Sequence, residues 1–172
     1  MNAHAMLNYL AELRDNNARE WYHLHREAYR EANAQFEALL EALILGIGAA
    51  DPSILHNVPG EITFKLARDT RFSRDKSPYN PAFRAHIGPR GKLPIPVGYY
   101  IMIKPGDQSF LGGGLFTGMF KYATAMVRDA IARSPEEWEA ILRAVDFRRR
   151  FALRGEVLKN VPKVYPREHP QP

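Results

Sequence analysis

The spacing of apolar residues changes twice along this chain of 172 residues, and that change limits the folds open to it. Apolar side chains first recur every three or four positions, then alternate with polar ones, and then return to the helical spacing. The helical spacing covers 7–14, 21–47, 121–133 and 136–145. The alternating pattern covers 62–67, 83–87 and 99–104. This order predicts an α+β fold with an N-terminal helical hairpin, a central antiparallel sheet and C-terminal helices packed on one face.

Helix signals refine the predicted boundaries. Asp15-Asn16-Asn17 ends the first helix, and Asn17 is expected to cap the second, with Glu20 three residues further on. The second helix is predicted to run without a break to Ile47. Ser134, followed by Pro135 and two glutamates, predicts a capped start for the last helix. The breaks between strands are predicted at Gly88-Pro89, Pro105-Gly106-Asp107 and Gly112-Gly113-Gly114.

Composition excludes several classes of protein. There is no cysteine, so disulfides, thiolate metal sites and a cysteine nucleophile are excluded, and a reducing compartment fits. The first ten residues lack Lys and Arg, and the most apolar stretch, 36–50, is too short to span a bilayer. We therefore expect a single cytoplasmic domain over 1–172 with no membrane association. The net charge of +5 favours anionic partners only weakly.

One segment, residues 68–80, holds most of the chemistry. Six charges fall between Arg68 and Lys76, four positive and two negative, directly after a predicted strand. Arginine presents a planar set of donors that suits phosphate or carboxylate. Asp69 and Asp75 are expected to orient the guanidinium groups. The sequence thus predicts an anion site formed by Arg68, Arg71, Arg74 and Lys76. The alternative is an ordinary charged turn whose Arg–Asp pairs contribute little.

Further residues are predicted around that site. Tyr79, His86, Tyr100 and Gly112, Gly113 and Gly114 are expected to line the cleft, because glycine lets backbone approach a ligand. Arg19, Glu20 and His25 are expected to close it. The alternative for the glycine run is a bend in a strand. The alternative for His25 is a side chain that is either exposed or hydrogen-bonded within the fold, with no role in a site.

Motifs for a metal or cofactor are lacking, so neither is predicted. The glycine run matches neither a P-loop nor a dinucleotide fingerprint. His23 and His25 are two residues apart, which puts them on different sides of a helix. No serine-nucleophile elbow is present either.

Several blocks of the chain resemble a bacterial family known as domain of unknown function 2461. The opening block, 16–29, and the central block, 68–79, carry the resemblance, together with Gly98-Tyr99-Tyr100 and Gly112–Gly114. The C-terminal block comprises 155–159, Pro162 and His169-Pro170. Members usually continue past this histidine–proline pair, which implies either a truncated chain or a protein that ends early. The resemblance implies a fold and a site but no activity.

Three functions remain open at this point. The first is a domain that binds a small anion or phosphate ligand, with or without catalysis. The second is a nucleic-acid-binding module that uses the basic segment, with Phe72 and Tyr79 for stacking. The third is a scaffold or interaction domain with no ligand. The oligomeric state is not predicted.

Overall fold

The computed structural model describes residues 2–92, 97–115, 121–153 and 164–165. The chain divides into two compact units, residues 1–115 and 116–172. The prediction of a single domain over 1–172 stays a prediction. The C-terminal block of the family resemblance lies outside the described residues.

Helices dominate the start of the first unit. They are α1 (Ala3–Asp15), α2 (Arg19–Leu24), α3 (Arg26–Gly48), a 3₁₀ turn (Pro52–Ile54) and α4 (Pro59–Ile62). In α1 the side chain of Asn2 accepts a hydrogen bond from the Ala5 N–H at 3.2 Å, which caps the helix. The apolar spacing of α3 buries one face along its length. The buried residues of α3 are Ala32, Phe36, Leu40, Ile44 and Gly48.

A three-stranded antiparallel sheet follows in the order β1-β3-β4. The strands are β1 (Phe83–Ile87), β2 (Pro89–Lys92), β3 (Val97–Ile103) and β4 (Phe110–Leu115), and β2 is not one of the three. Phe83, Ala85 and Ile87 of β1 are buried with α1 and α3 residues in one core. The alternate residues of β1, including His86, occupy the opposite face. The N-terminal helices α1 and α3 therefore cover one face of the sheet.

The second unit is helical in its described part. It contains α5 (Lys121–Arg133), α6 (Pro135–Arg143) and α7 (Val145–Arg150), none of which has a buried residue. Inside this unit Tyr165 donates from its hydroxyl to Asp129 at 2.7 Å. Helices before and after an antiparallel sheet confirm the predicted α+β class. Packing of the C-terminal helices on one face stays a prediction.

The second helix is shorter than predicted. It ends at Leu24, and α3 begins at Arg26 after a break at His25 with φ −103° and ψ 27°. The His25 Nδ1 lies 2.8 Å from the carbonyl oxygen of Trp21, so the imidazole bonds to a carbonyl at the end of α2. The predicted capping by Asn17 is wrong: the N-cap position is Ala18, and no side chain caps α2.

Three other local predictions were wrong. Residues 63–67 form isolated bridges, Thr63 with Ala85 and Ala67 with Tyr79, instead of a regular strand. The Gly112–Gly114 run continues β4 instead of breaking it, because each glycine keeps its register partner on β3. Ser134 stands at the start of α6 as predicted, but its side chain makes no capping hydrogen bond.

Candidate functional site

The central charged segment forms a closed loop, which we call the Arg loop (residues 68–80). Its ends pair as antiparallel backbone. The Arg68 N–H donates to the Pro78 carbonyl at 2.8 Å, and the Asn80 N–H donates to the Leu66 carbonyl at 2.8 Å. The Ala67–Tyr79 bridge lies between these bonds. The extended segment before Arg68 therefore fixes the base of the loop, although it is not a regular strand.

Asn17 holds the base of the Arg loop from the helical side. Its Nδ2 donates to the Tyr79 carbonyl at 2.9 Å, and its Oδ1 accepts from the Tyr79 N–H at 3.0 Å. The Tyr79 ring stacks on Tyr22 with centroids 4.5 Å apart. Tyr79 is 8% exposed and belongs to the core. The opening and central sequence blocks are thus joined in space, and Tyr79 serves as an anchor of the loop.

Arg68 braces the inside of the loop. It forms an ion pair with Asp75, and it donates to the Ser77 carbonyl at 3.2 Å and to the Ser73 hydroxyl at 3.3 Å. Asp75 in turn accepts from the Ser77 N–H at 2.9 Å and from the Ser77 hydroxyl at 2.5 Å. As expected from the sequence, an aspartate orients this guanidinium group. The result is a cross-braced loop interior.

Arg71 and Lys76 are also engaged within the loop. Arg71 donates from Nε and Nη2 to Asp69, with the shortest contact at 2.6 Å. The Lys76 ammonium donates to the carbonyls of Thr70 at 2.9 Å and Arg71 at 3.5 Å. Arg68 and Arg71 therefore sit in two different ion pairs, each with its own aspartate.

Two cationic charges remain without a carboxylate. Both aspartates of the loop are paired, Lys76 bonds only to carbonyls, and Arg74 has no hydrogen bond or ion pair within the part of the chain that the structure describes. Beside them Phe72 is 97% exposed, and the Arg71 guanidinium carbon lies 5.9 Å from its ring centre. Phe72, Arg74 and Lys76 are all exposed, so the loop presents to solvent a phenyl ring and two positive charges that have no carboxylate partner among the described residues.

The bracing of the loop depends on pH. Bonds from the Ser77 hydroxyl and N–H, and the Arg68 guanidinium, lower the pKa of Asp75 from 3.8 to about 2. A lowered pKa in the folded state means that the ionised carboxylate supports the loop above pH ~4 and that this support is lost as the pH falls toward ~2.

We expect the Ser77 amide resonance to titrate in NMR with a midpoint near 2 and to stop titrating there in Asp75→Asn. A midpoint near 4 in the wild type would contradict the bonded geometry.

The structure brings together some of the other predicted residues. His86, Tyr100 and Gly112 are cross-strand neighbours on β1, β3 and β4. They share the face of the sheet that lies opposite the helices. Gly114 lies on that face too, opposite Gly98, whereas Gly113 pairs with Tyr99 on the core side. His86 is 8% exposed, and its Nδ1 has no partner among the described residues.

The third predicted group lies on and beside α2. Arg19 and Glu20 are exposed in its first turn. The His25 ring stacks on Trp21 with centroids 4.0 Å apart. Within the described ranges no hydrogen bond or ion pair joins Arg19, Glu20 or His25 to the Arg loop. The residues that do contact the loop from this region are Asn17 and Tyr22, which the sequence did not single out for this role.

Neither a cluster of metal ligands nor a membrane-spanning helix is present in the described parts of the chain. No group of three or more His, Cys, Asp or Glu side chains there could hold a metal ion. No described helix combines the length and the apolar character that crossing a membrane requires.

The fold and the site define an α+β domain with a cross-braced, arginine-rich loop held by the N-terminal helices. The family model described as "Conserved hypothetical protein (DUF2461)" matches residues 5–172, so the chain belongs to this family. This confirms the resemblance found in the sequence. Comparison with curated proteins found no match, and comparison with solved structures found none either.

Proposed function

We propose that this domain binds single-stranded nucleic acid through the outer side of the Arg loop. The observation that carries the proposal is Phe72, which is 97% exposed beside Arg71 and two residues before Arg74 in the sequence. An exposed phenyl ring makes no hydrogen bonds to water, and a nucleic acid base that stacks on it removes apolar surface from solvent. The charges of Arg74 and Lys76, which have no carboxylate partner in the described part of the chain, then suit the phosphates on either side of the stacked base.

The pairing inside the loop favours a polymer over one small anion. A small anion held jointly by Arg68 and Arg71 would have to displace Asp75 and Asp69 from their ion pairs. Arg74 and Lys76 have no carboxylate partner among the described residues that an anion would have to displace. Tyr79 is 8% exposed and stacked on Tyr22, so of the two aromatic residues predicted to stack on bases, Phe72 is the accessible one.

The distribution of charge along the chain supports a polyanionic partner. Residues 116–172 hold eleven Lys and Arg against seven Asp and Glu, so they carry four of the five excess positive charges. Within this second unit Arg148, Arg149 and Arg150 are all exposed on α7. Basic side chains of this kind add affinity that does not depend on sequence.

Replacement of Phe72 tests the proposal. Fluorescence anisotropy with a labelled 15-nucleotide single strand at low salt should show that Phe72→Ala weakens binding by roughly tenfold, the usual loss for one stacked base. Arg74→Ala should weaken binding and reduce the steepness of the salt dependence by about one counterion. Lys65→Ala is the control, because Lys65 is exposed and lies outside the loop.

Either of two results would overturn the proposal: no binding of single strands at low salt, or binding that Phe72→Ala leaves unchanged. Saturable binding of inorganic phosphate that is lost in Arg68→Ala would favour the small-anion site that the sequence predicted. Phe72 and Arg74 are exposed, so their variants are expected to fold normally.

A further inference from the structure

A cleft outside the Arg loop has the size of a small-molecule site. Its volume is about 440 Å³, within the range typical of ligand pockets. Two segments form it, the chain around α4 and the turn that contains β2. The lining residues with polar or charged side chains are His56, Asn57, Glu61, Arg90 and Lys92. No residue of the Arg loop lines this cleft, and none of these five was predicted from the sequence.

The buried polar group of this cleft is Asn57. It is 8% exposed, and its Nδ2 donates to the carbonyls of Ile54 at 2.7 Å and Gly88 at 3.0 Å. These two bonds fix which end of the carboxamide is nitrogen and which is oxygen. Its Oδ1 has no partner in the described part of the protein. A buried acceptor without a donor is unfavourable, so a donor from a ligand would be stabilising here.

The charged lining of the cleft favours an anion. Arg90 is exposed and makes no hydrogen bond or ion pair within the described ranges. Lys92 donates to the Thr63 carbonyl at 3.0 Å, and its ammonium forms no ion pair with a described carboxylate. Glu61 is the one carboxylate among the described residues that line the cleft. Two cations against one carboxylate leave a net positive rim, and a guanidinium suits phosphate or carboxylate.

We propose that this cleft binds a small ligand that combines a phosphate group with a hydroxyl donor, as in a phosphorylated polyol. Arg90 holds the phosphate, and the Asn57 Oδ1 accepts from the hydroxyl. Because this oxygen is covered in the free protein, the hydroxyl reaches it only after a small opening of the cleft floor. The site is separate from the Arg loop and does not depend on its function.

The probe for this site is glycerol 3-phosphate, compared with inorganic phosphate and glycerol, and binding is measured by isothermal titration calorimetry. Glycerol 3-phosphate should bind more tightly than either fragment. Arg90→Ala should weaken its binding by about tenfold, since it removes a charge-assisted bond. In NMR the Asn57 side-chain amide resonances should shift on binding, which avoids replacing a residue that the fold needs.

Arg74→Ala is the matched control, because it removes a guanidinium from the Arg loop and not from the cleft. It should leave glycerol 3-phosphate binding unchanged, while Arg90→Ala should leave single-strand binding unchanged. The proposal is overturned if glycerol 3-phosphate does not bind at millimolar concentration, if Arg90→Ala has no effect, or if the Asn57 amide does not shift. Equal affinity for inorganic phosphate and glycerol 3-phosphate would contradict the role of Asn57.

Discussion

Asn17→Ala is expected to lower the free energy of unfolding by about 3 kcal/mol, because it leaves two backbone groups of Tyr79 without partners. The Asn17 carboxamide both donates to and accepts from Tyr79, with contacts of 2.9 and 3.0 Å across 62 residues of sequence. Because Tyr79 is buried, water cannot easily reach its N–H and carbonyl to replace the lost hydrogen bonds. Urea denaturation, monitored by circular dichroism, measures the change in the free energy of unfolding.

Asn16→Ala is the matched control. Asn16 is exposed, and its side chain donates only to the Glu12 carbonyl at 3.0 Å, within the same helix end. Its removal should cost at most ~0.5 kcal/mol. If the two alanine variants were equally stable, Asn17 would not be the residue that holds the Arg loop to the helices.

Gly98→Ala is expected to destabilise the protein by about 3 kcal/mol, the upper part of the range for overpacking. A Cβ at this position would lie 2.6 Å from the Ile87 carbonyl oxygen and 2.7 Å from the His86 Nε2. The carbonyl belongs to the neighbouring strand and cannot rotate away as a flexible side chain could. The sheet or the His86 ring would have to shift, and thermal unfolding would report the loss.

Gly112→Ala provides the comparison on the next strand. Among the described residues, the atoms nearest to a Cβ there would be those of the Phe110 ring at 4.0 Å. Alanine also restricts the unfolded chain more than glycine does, so stability should stay within ~0.5 kcal/mol of the wild type. Equal destabilisation by both substitutions would mean that loss of glycine itself, and not the contact with β1, is what matters.

The helices and strands that the sequence predicted well are those in which the apolar residues repeat regularly along the element. The apolar spacing of α5 and the alternation of β1 and β3 appear in the structure with nearly the expected bounds, whereas the helix predicted to run to Ile47 is divided at His25 into α2 and α3. The resemblance around Gly98 also has a physical reason, since the space beside that glycine is filled by the opposite strand. Local pattern was sufficient for β1 and β3 because one face of each packs on the core, and for α5 the spacing alone indicated the helix, although none of its residues is buried.

The predictions that failed depend on partners that are distant in sequence. Asn17 stands where a helix cap is normal, yet its carboxamide bonds to Tyr79 instead, and no nearby residue indicates that choice. Residues 62–67 alternate like a strand, but the segment makes single bridges to two different partners. The charges of the Arg loop were recognised, whereas which aspartate pairs with Arg68 and which with Arg71 needed the structure. The joint anion site formed by these arginines stays a prediction.

The internal bonds of the Arg loop have a consequence for how quickly it can meet a partner. Arg68 and Lys76 are already fixed by Asp75, Ser77 and backbone carbonyls, so the loop loses little freedom when a complex forms, and the ordering that remains is that of the Phe72 and Arg74 side chains. Binding then needs no prior folding of the loop, so we expect a fast association rate. The lifetime of the complex is then set by the few contacts that the exposed side chains make with the partner.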